Sequence, residues 1–202
     1  MERRFLREPR LQQLYEDFLK QYEDLGHMSL ASQSDFTKGR ISYLPHHGVM
    51  REASLTTKLR VVFNGSTTIP SGDSLNNHLM VGQNLLPSLA DVLLRWRRHR
   101  FVLATDVEKM FRQILIHPDD RDLQRIIWRN PKQNQINEYC LNTVTYGLKC
   151  APFLAIRSLR QLANDEEKRY PRAAAVLRQD VYMDDFLTGA AHSQKLKIFN
   201  VS

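Results

Sequence analysis

The ten residues Asp180-Val181-Tyr182-Met183-Asp184-Asp185-Phe186-Leu187-Thr188-Gly189 leave the backbone few options. Runs rich in Val, Tyr, Phe and Thr favour strands, and two acids between them favour a tight reversal. The spacing therefore predicts an antiparallel hairpin turning at Asp184-Asp185. No Lys or Arg stands within three residues of either acid. Adjacent carboxylates at a turn repel one another, which raises one pKa or recruits a cation. Mg²⁺ suits the second outcome: it is hard, takes oxygen ligands, and binds through one or two carboxylates plus substrate phosphates. Taken alone, the hairpin is slightly better explained by two turn-forming aspartates.

With 202 residues the chain can build one ordinary domain, or two small subdomains, around a real core. At 42% hydrophobic and 25% charged it falls in the globular class. Lys and Arg total 29 against 22 acids, a net charge of +7 that favours a polyanionic partner. No apolar run reaches the roughly 18 residues of a bilayer span, and the residues after Met1 lack an apolar core of signal-peptide length. No membrane partner is expected. Cys140 and Cys150 have no metal-type spacing and read as free, buried or half-buried thiols in a reducing compartment. The expected location is intracellular and cytoplasmic.

Along the chain, Leu11, Leu14, Tyr15, Phe18, Leu19 and Tyr22 recur at helical spacing, predicting an amphipathic helix over 10–24 that ends at Gly26. Residues 41–44 and 59–63 read as strands. Lys58 and Arg60 sit two apart and share a face; two cations there suit a triphosphate, although an exposed polar face explains them as well. His46-His47 lacks a third ligand and is a weak metal motif. Residues 67–82 read as a connecting loop. A second helix follows, with Leu85, Leu86, Leu89, Val92, Leu93 and Trp96 inward and Pro87 in its first turn. It closes in Arg95-Trp96-Arg97-Arg98-His99-Arg100, cations that suit a helix C-terminus or a nucleic-acid backbone equally.

Phe101–Thr105 reads as a strand buried on both faces and ending on Asp106, whose charge is costly there unless paired or metal-bound. A turn through Val107 leads to Phe111 and a strand over 113–116. Asp119-Asp120 lies at a helix start, where acids are favoured without a metal. Further strands are expected over 126–128 and 139–144. Next come a turn from Tyr146 through Pro152, a helix to about Arg169 with Phe153, Ile156, Leu159, Leu162 and Ala163 inward, and a short helix from Pro171.

Asp106, Asp184 and Asp185 thus end otherwise apolar strands. If their strands are antiparallel neighbours, the three carboxylates form a cage for two divalent ions roughly 3.5–4 Å apart, as in-line phosphoryl transfer requires. Chemistry of that kind is mostly positioning and charge stabilisation.

In Tyr43-Leu44-Pro45-His46-His47, Lys58 to Phe63, Ala104 to Phe111, Thr143 to Pro152 and Tyr182-Met183-Asp184-Asp185, the chain resembles the fingers and palm of a reverse transcriptase. The likeness is strongest to BEL/Pao-type LTR retrotransposons and covers roughly residues 10 to 195. It implies an α+β right-hand polymerase palm, an antiparallel sheet backed by helices. Residues 1–100 would form the N-terminal helix and fingers, and residues 101–202 the palm. It implies an RNA-directed DNA polymerase that takes an RNA or DNA template with primer, dNTPs, and two Mg²⁺ ions replaceable by Mn²⁺. Asp106, Asp184 and Asp185 would be the metal triad. Lys58, Arg60 and the backbone after Asp106, at Val107, would meet the triphosphate. Phe111 would exclude a 2′-hydroxyl as well as pack the core, Tyr146 and Gly147 would border base and sugar, and Tyr182 and Met183 the primer end. The location implied is the cytoplasm, including a retrotransposon particle.

The chain departs from the family pattern at Asn64, where an Asp is common, and stops where the last palm strands and thumb are expected. A truncated polymerase domain is therefore the leading expectation, and a non-enzymatic nucleic-acid-binding remnant the second. A two-metal nuclease would need a general base near Asp106, and no His is placed to serve.

Overall fold

The computed structural model of the chain describes residues 1–31, 41–54, 57–130 and 135–191. The last positions of the family likeness, 192–195, lie outside them. The fold is α+β, and among the described residues every strand pair is antiparallel. The chain divides into two compact units, Met1–Met80 with Phe111–Ala151 and Val81–Met110 with Pro152–Ser202. Among the described residues no helix is long and apolar enough to cross a membrane.

The first unit is built on α2 (Pro9–Asp24), preceded by the single turn α1 (Glu2–Phe5). Leu11, Tyr15, Leu19 and Tyr22 form its buried stripe at the expected spacing, and Gly26 leaves the helix at φ +71°. Each fully buried Leu of that stripe contributes about 1.5–3 kcal/mol. The stripe meets a hairpin of β2 (His46–Met50) and β3 (Leu59–Phe63), whose Leu59, Val61 and Phe63 point inward. A three-stranded sheet completes the unit in the order β1-β6-β5, from β1 (Met28–Leu30), β5 (Arg125–Asn130) and β6 (Gln135–Leu141).

The partner of β3 is His46–Met50, which carries no strand pattern, and not residues 41–44. Gly48 permits this, since a Cβ there would stand 2.8 Å from Leu59 and 3.0 Å from Tyr15. Residues 41–44 make a single bridge, Tyr43 with Arg125. The 67–82 stretch, read as loop, contains the helical turn α3 (Leu75–His78). The strand expected over 113–116 is replaced by a 3₁₀ turn, Met110–Gln113, and one bridge, Leu115 with Thr143. His117 and Pro118 then open the next 3₁₀ segment and leave no length for a ladder.

The second unit carries a sheet in the order β4-β8-β7, from β4 (Phe101–Asp106), β7 (Val181–Tyr182) and β8 (Asp185–Ala190). Helices α4 (Leu89–Trp96) and α6 (Pro171–Gln179) pack on β7 and β8, and α5 (Ala151–Asp165) buries Ala155, Ile156 and Ala163. Helix α4 begins after Pro87 because Ser88 caps it. Only Val92 of its apolar face is fully buried, while Leu89 and Leu93 are exposed, as is Leu162 on α5. Strand β4 is likewise not buried on both faces: among the described residues it is an edge of its sheet, with Phe101 and Val102 exposed.

Candidate active site

The register of β4 on β8 sets the site. Six pairs run from Phe101 opposite Ala190 to Asp106 opposite Asp185, so the last residue of one strand faces the first of the other. Asp184 sits in the two-residue connection from β7, with Met183, between the paired residues Tyr182 and Asp185. The reversal is therefore Met183-Asp184, one position earlier than the sequence suggests, and Asp185 belongs to the strand. Met183 takes φ +58°, a left-handed conformation costly for a non-glycine residue. A short connection between right-twisted strands calls for positive φ, and here Met183 supplies it.

The amide of Val107 donates to the carbonyl of Asp184 (2.9 Å), tying the end of β4 to the turn. One ligand oxygen from each of Asp106, Asp184 and Asp185 lies within 4.8 Å of the others, and all three residues are exposed. Exposure removes the desolvation cost expected for Asp106 and leaves the mutual repulsion. Like charges directly opposite on paired strands destabilise a sheet, and a divalent cation reverses the sign of that interaction. Three hard oxygen donors on a solvent-open edge suit such an ion, so the cluster fits a metal.

The base of the hairpin is fixed from below. Asp180 accepts from Thr188 Oγ1 (2.9 Å) and from the amide of Leu187 (2.8 Å), and pairs with Arg95 (3.5 Å). Arg95 also donates to the carbonyl of Gln179. The first cation of the 95–100 cluster is thus structural, while Arg97, Arg98 and Arg100 are exposed.

The remaining predicted residues take definite positions. Tyr182 and Met183, half-buried, adjoin the acids on the hairpin. Val107 has its amide engaged by Asp184, so it is not free to meet a phosphate as expected. Lys58 precedes β3 and donates to the carbonyls of Glu52 (3.2 Å) and Ser54 (2.6 Å), whereas Arg60 is exposed on the strand. Phe111 is half-buried in its 3₁₀ turn. Tyr146 Oη donates to the carbonyl of Val61 (2.7 Å) and its ring lies 5.4 Å from that of Phe63. Gly147 takes φ +97°. His46 holds no metal cluster together: its ring nitrogens meet the Tyr15 hydroxyl and the carbonyl of Ile127 (3.1 Å).

Two features carry no sequence signal. Arg125, fully buried, donates to Asp122 (2.8 Å) and Glu138 (3.0 Å), and the Tyr43 hydroxyl donates to Glu138 (2.7 Å). Asn76 is also buried, with every polar atom of its amide bonded. In a Ser/Asn/Gly-rich stretch it looks like one more loop residue.

No curated protein matches the chain. The family model described as reverse transcriptase (RNA-dependent DNA polymerase) matches residues 50–199, well over half of the sequence and inclusive of all three clustered aspartates. The chain belongs to the reverse transcriptase (RNA-dependent DNA polymerase) family.

Proposed function

We propose that the chain is the polymerising domain of a retrotransposon reverse transcriptase of BEL/Pao type, with fingers and palm elements, adding dNTPs to a primer 3′-hydroxyl on an RNA or DNA template. The observation that carries this reading is the meeting of Asp106, Asp184 and Asp185 oxygens within 4.8 Å in a chain of this family. Asp106 and Asp184 take the larger share of ligation, with Asp185 opposite Asp106 completing the set. These three carboxylates would hold two divalent ions, Mg²⁺ or Mn²⁺, which when bound would supply a lowered pKa at the attacking hydroxyl and charge stabilisation at the pyrophosphate leaving group.

The chain's own residues bind and orient. Arg60, exposed on β3, is the better candidate for the triphosphate than Lys58, whose ammonium is already held by two carbonyls. With the Val107 amide closing the turn, backbone contact with the triphosphate passes to the residues beyond it. Phe111 limits the 2′-position by bulk. Tyr146 and Gly147 border base and sugar, where a glycine lets the backbone approach closely. Tyr182 and Met183 support the primer end.

The test is primer extension on an RNA template with dNTPs and Mg²⁺ or Mn²⁺. Extension abolished by Asp184→Asn is the expected result. Extension that survives Asp184→Asn, or no extension by the wild-type chain with either metal, contradicts the reading and favours a non-enzymatic remnant.

A further inference from the structure

Asn76 is 4% exposed and carries four hydrogen bonds to two separate segments, 65–66 and 147–149. Its backbone N–H donates to Gly65 (2.9 Å). Its Nδ2 donates to Ser66 Oγ (2.8 Å) and to the carbonyl of Gly147 (3.0 Å), and its Oδ1 accepts from the amide of Lys149 (2.9 Å). The amide orientation is fixed by its partners, since a carbonyl can only accept and a backbone N–H can only donate.

Those bonds clamp the turn at Tyr146-Gly147 to the chain leaving β3. Two further ties run in parallel: Tyr146 Oη to Val61 (2.7 Å), and Leu148 packed where a Cβ on Gly65 would stand 2.6 Å from it. Strand β3 in turn presents Arg60 to solvent on the face opposite Leu59, Val61 and Phe63. Arg60 and the Tyr146-Gly147 turn are therefore parts of one rigid body, with Asn76 as its pin.

We propose that Asn76 is a positioning residue for the incoming dNTP, setting the Tyr146-Gly147 turn at a fixed offset from Arg60 so that base, sugar and triphosphate are met together. This rests on the polymerase reading above. Small displacements of such positioning groups cost a great deal, since the benefit comes from pre-set geometry.

Asn76→Asp is nearly isosteric, keeps the acceptor for Lys149, and turns the donor toward Gly147 into a second oxygen facing a carbonyl. Gly65→Ala reaches the same clamp sterically: its Cβ would stand 3.0 Å from Asn76 Oδ1 and 2.6 Å from Leu148, with no polar group removed. Asn84→Asp makes the same chemical change at an exposed side chain whose Oδ1, kept in the aspartate, accepts from the amide of Leu86 (3.0 Å). Steady-state primer extension is measured for each, alongside the melting temperature. Asn76→Asp and Gly65→Ala should raise the dNTP KM about tenfold or more, leaving kcat within about threefold, while Asn84→Asp matches wild type.

A purely structural role lowers the fraction of active enzyme, and therefore kcat, at unchanged KM. That pattern, or an unchanged KM in whichever of the two clamp variants folds, overturns the inference while an active wild type keeps the polymerase reading. Should the wild-type chain fail to extend, the Kd of a fluorescent dNTP replaces KM. A wild-type chain that does not extend primers already contradicts the polymerase reading, and one that also fails to bind the dNTP overturns the inference with it.

Discussion

Gly147→Ala tests the turn that the nucleotide reading depends on, and its neighbourhood lets the cost be worked out. At φ +97° an alanine is held in a region that costs L-residues about 1–2 kcal/mol. A Cβ there would overlap the backbone carbonyl of Phe63, whose carbon lies 3.1 Å away, so the turn must move off β3. That movement strains the bond from Asn76 to Gly147 (3.0 Å) and the bond from Tyr146 to Val61 (2.7 Å), each worth about 1 kcal/mol. The total is on the order of 3–4 kcal/mol. Gly72→Ala is the matched control, because φ there is +85° and nothing lies within 4 Å of its Cβ. It suffers the backbone cost alone, and the change in unfolded-chain entropy is the same for both variants. The difference, about 2 kcal/mol, corresponds to roughly 1 M in urea midpoint at a slope near 2 kcal/mol/M. Urea unfolding is followed by Trp128 fluorescence in a Trp96→Phe background, which reports the unit that contains both glycines. Equal midpoints for Gly147→Ala and Gly72→Ala would refute the close docking of the turn on β3.

Other consequences follow from buried polar groups. His46 donates from Nε2 to Ile127 and so accepts at Nδ1 from Tyr15, the neutral form, and burial holds its pKa below the ordinary 6.5. With the folded pKa lowered, the unfolded state binds more protons, so this contribution to stability is complete above about pH 6.5 and is lost as pH falls from there toward the folded value. Melting temperature should decline across that window in wild type and decline less in His46→Gln; equal slopes would contradict the assignment. Arg125→Met strands two carboxylates and should cost about 3–5 kcal/mol, against under about 1 kcal/mol for Arg10→Met, whose partner Glu52 is as exposed as itself. Comparable losses from the two substitutions would show that the Arg125 cluster does not act as a buried network.

Much of the framework is legible without coordinates where one element buries one face. The stripe of α2 repeats at 3.6 residues, a period that local sequence displays directly, and the hairpin of β7 and β8 shows as strand-favouring residues on either side of two acids. Strand β2 is not legible, because His46-His47-Gly48 has no alternation and owes its place to a glycine fitting beneath Leu59 and Tyr15. The exposure of β4 escapes for a related reason. An apolar run looks the same whether both faces are covered or one edge is open. For the candidate site, the acids are visible as charges ending apolar strands, but the pairing of Asp106 with Asp185 is a register between distant segments. The turn shifts by one residue because Met183 accepts a left-handed backbone that sequence assigns to other residues. Arg125 and Asn76 are hidden by composition: a strand-leading cation and a loop amide are ordinary surface residues until the fold supplies their partners.

Mn²⁺ binding addresses the meeting of the three carboxylates without requiring turnover. Free Mn²⁺ is followed by electron paramagnetic resonance as it is titrated into the wild-type chain, Asp106→Asn and Asp184→Asn. If residue 106 shares ions with the hairpin, both substitutions weaken binding by at least about tenfold. An Asp106→Asn chain that binds Mn²⁺ as tightly as wild type would show that the strand and the hairpin do not form one metal site.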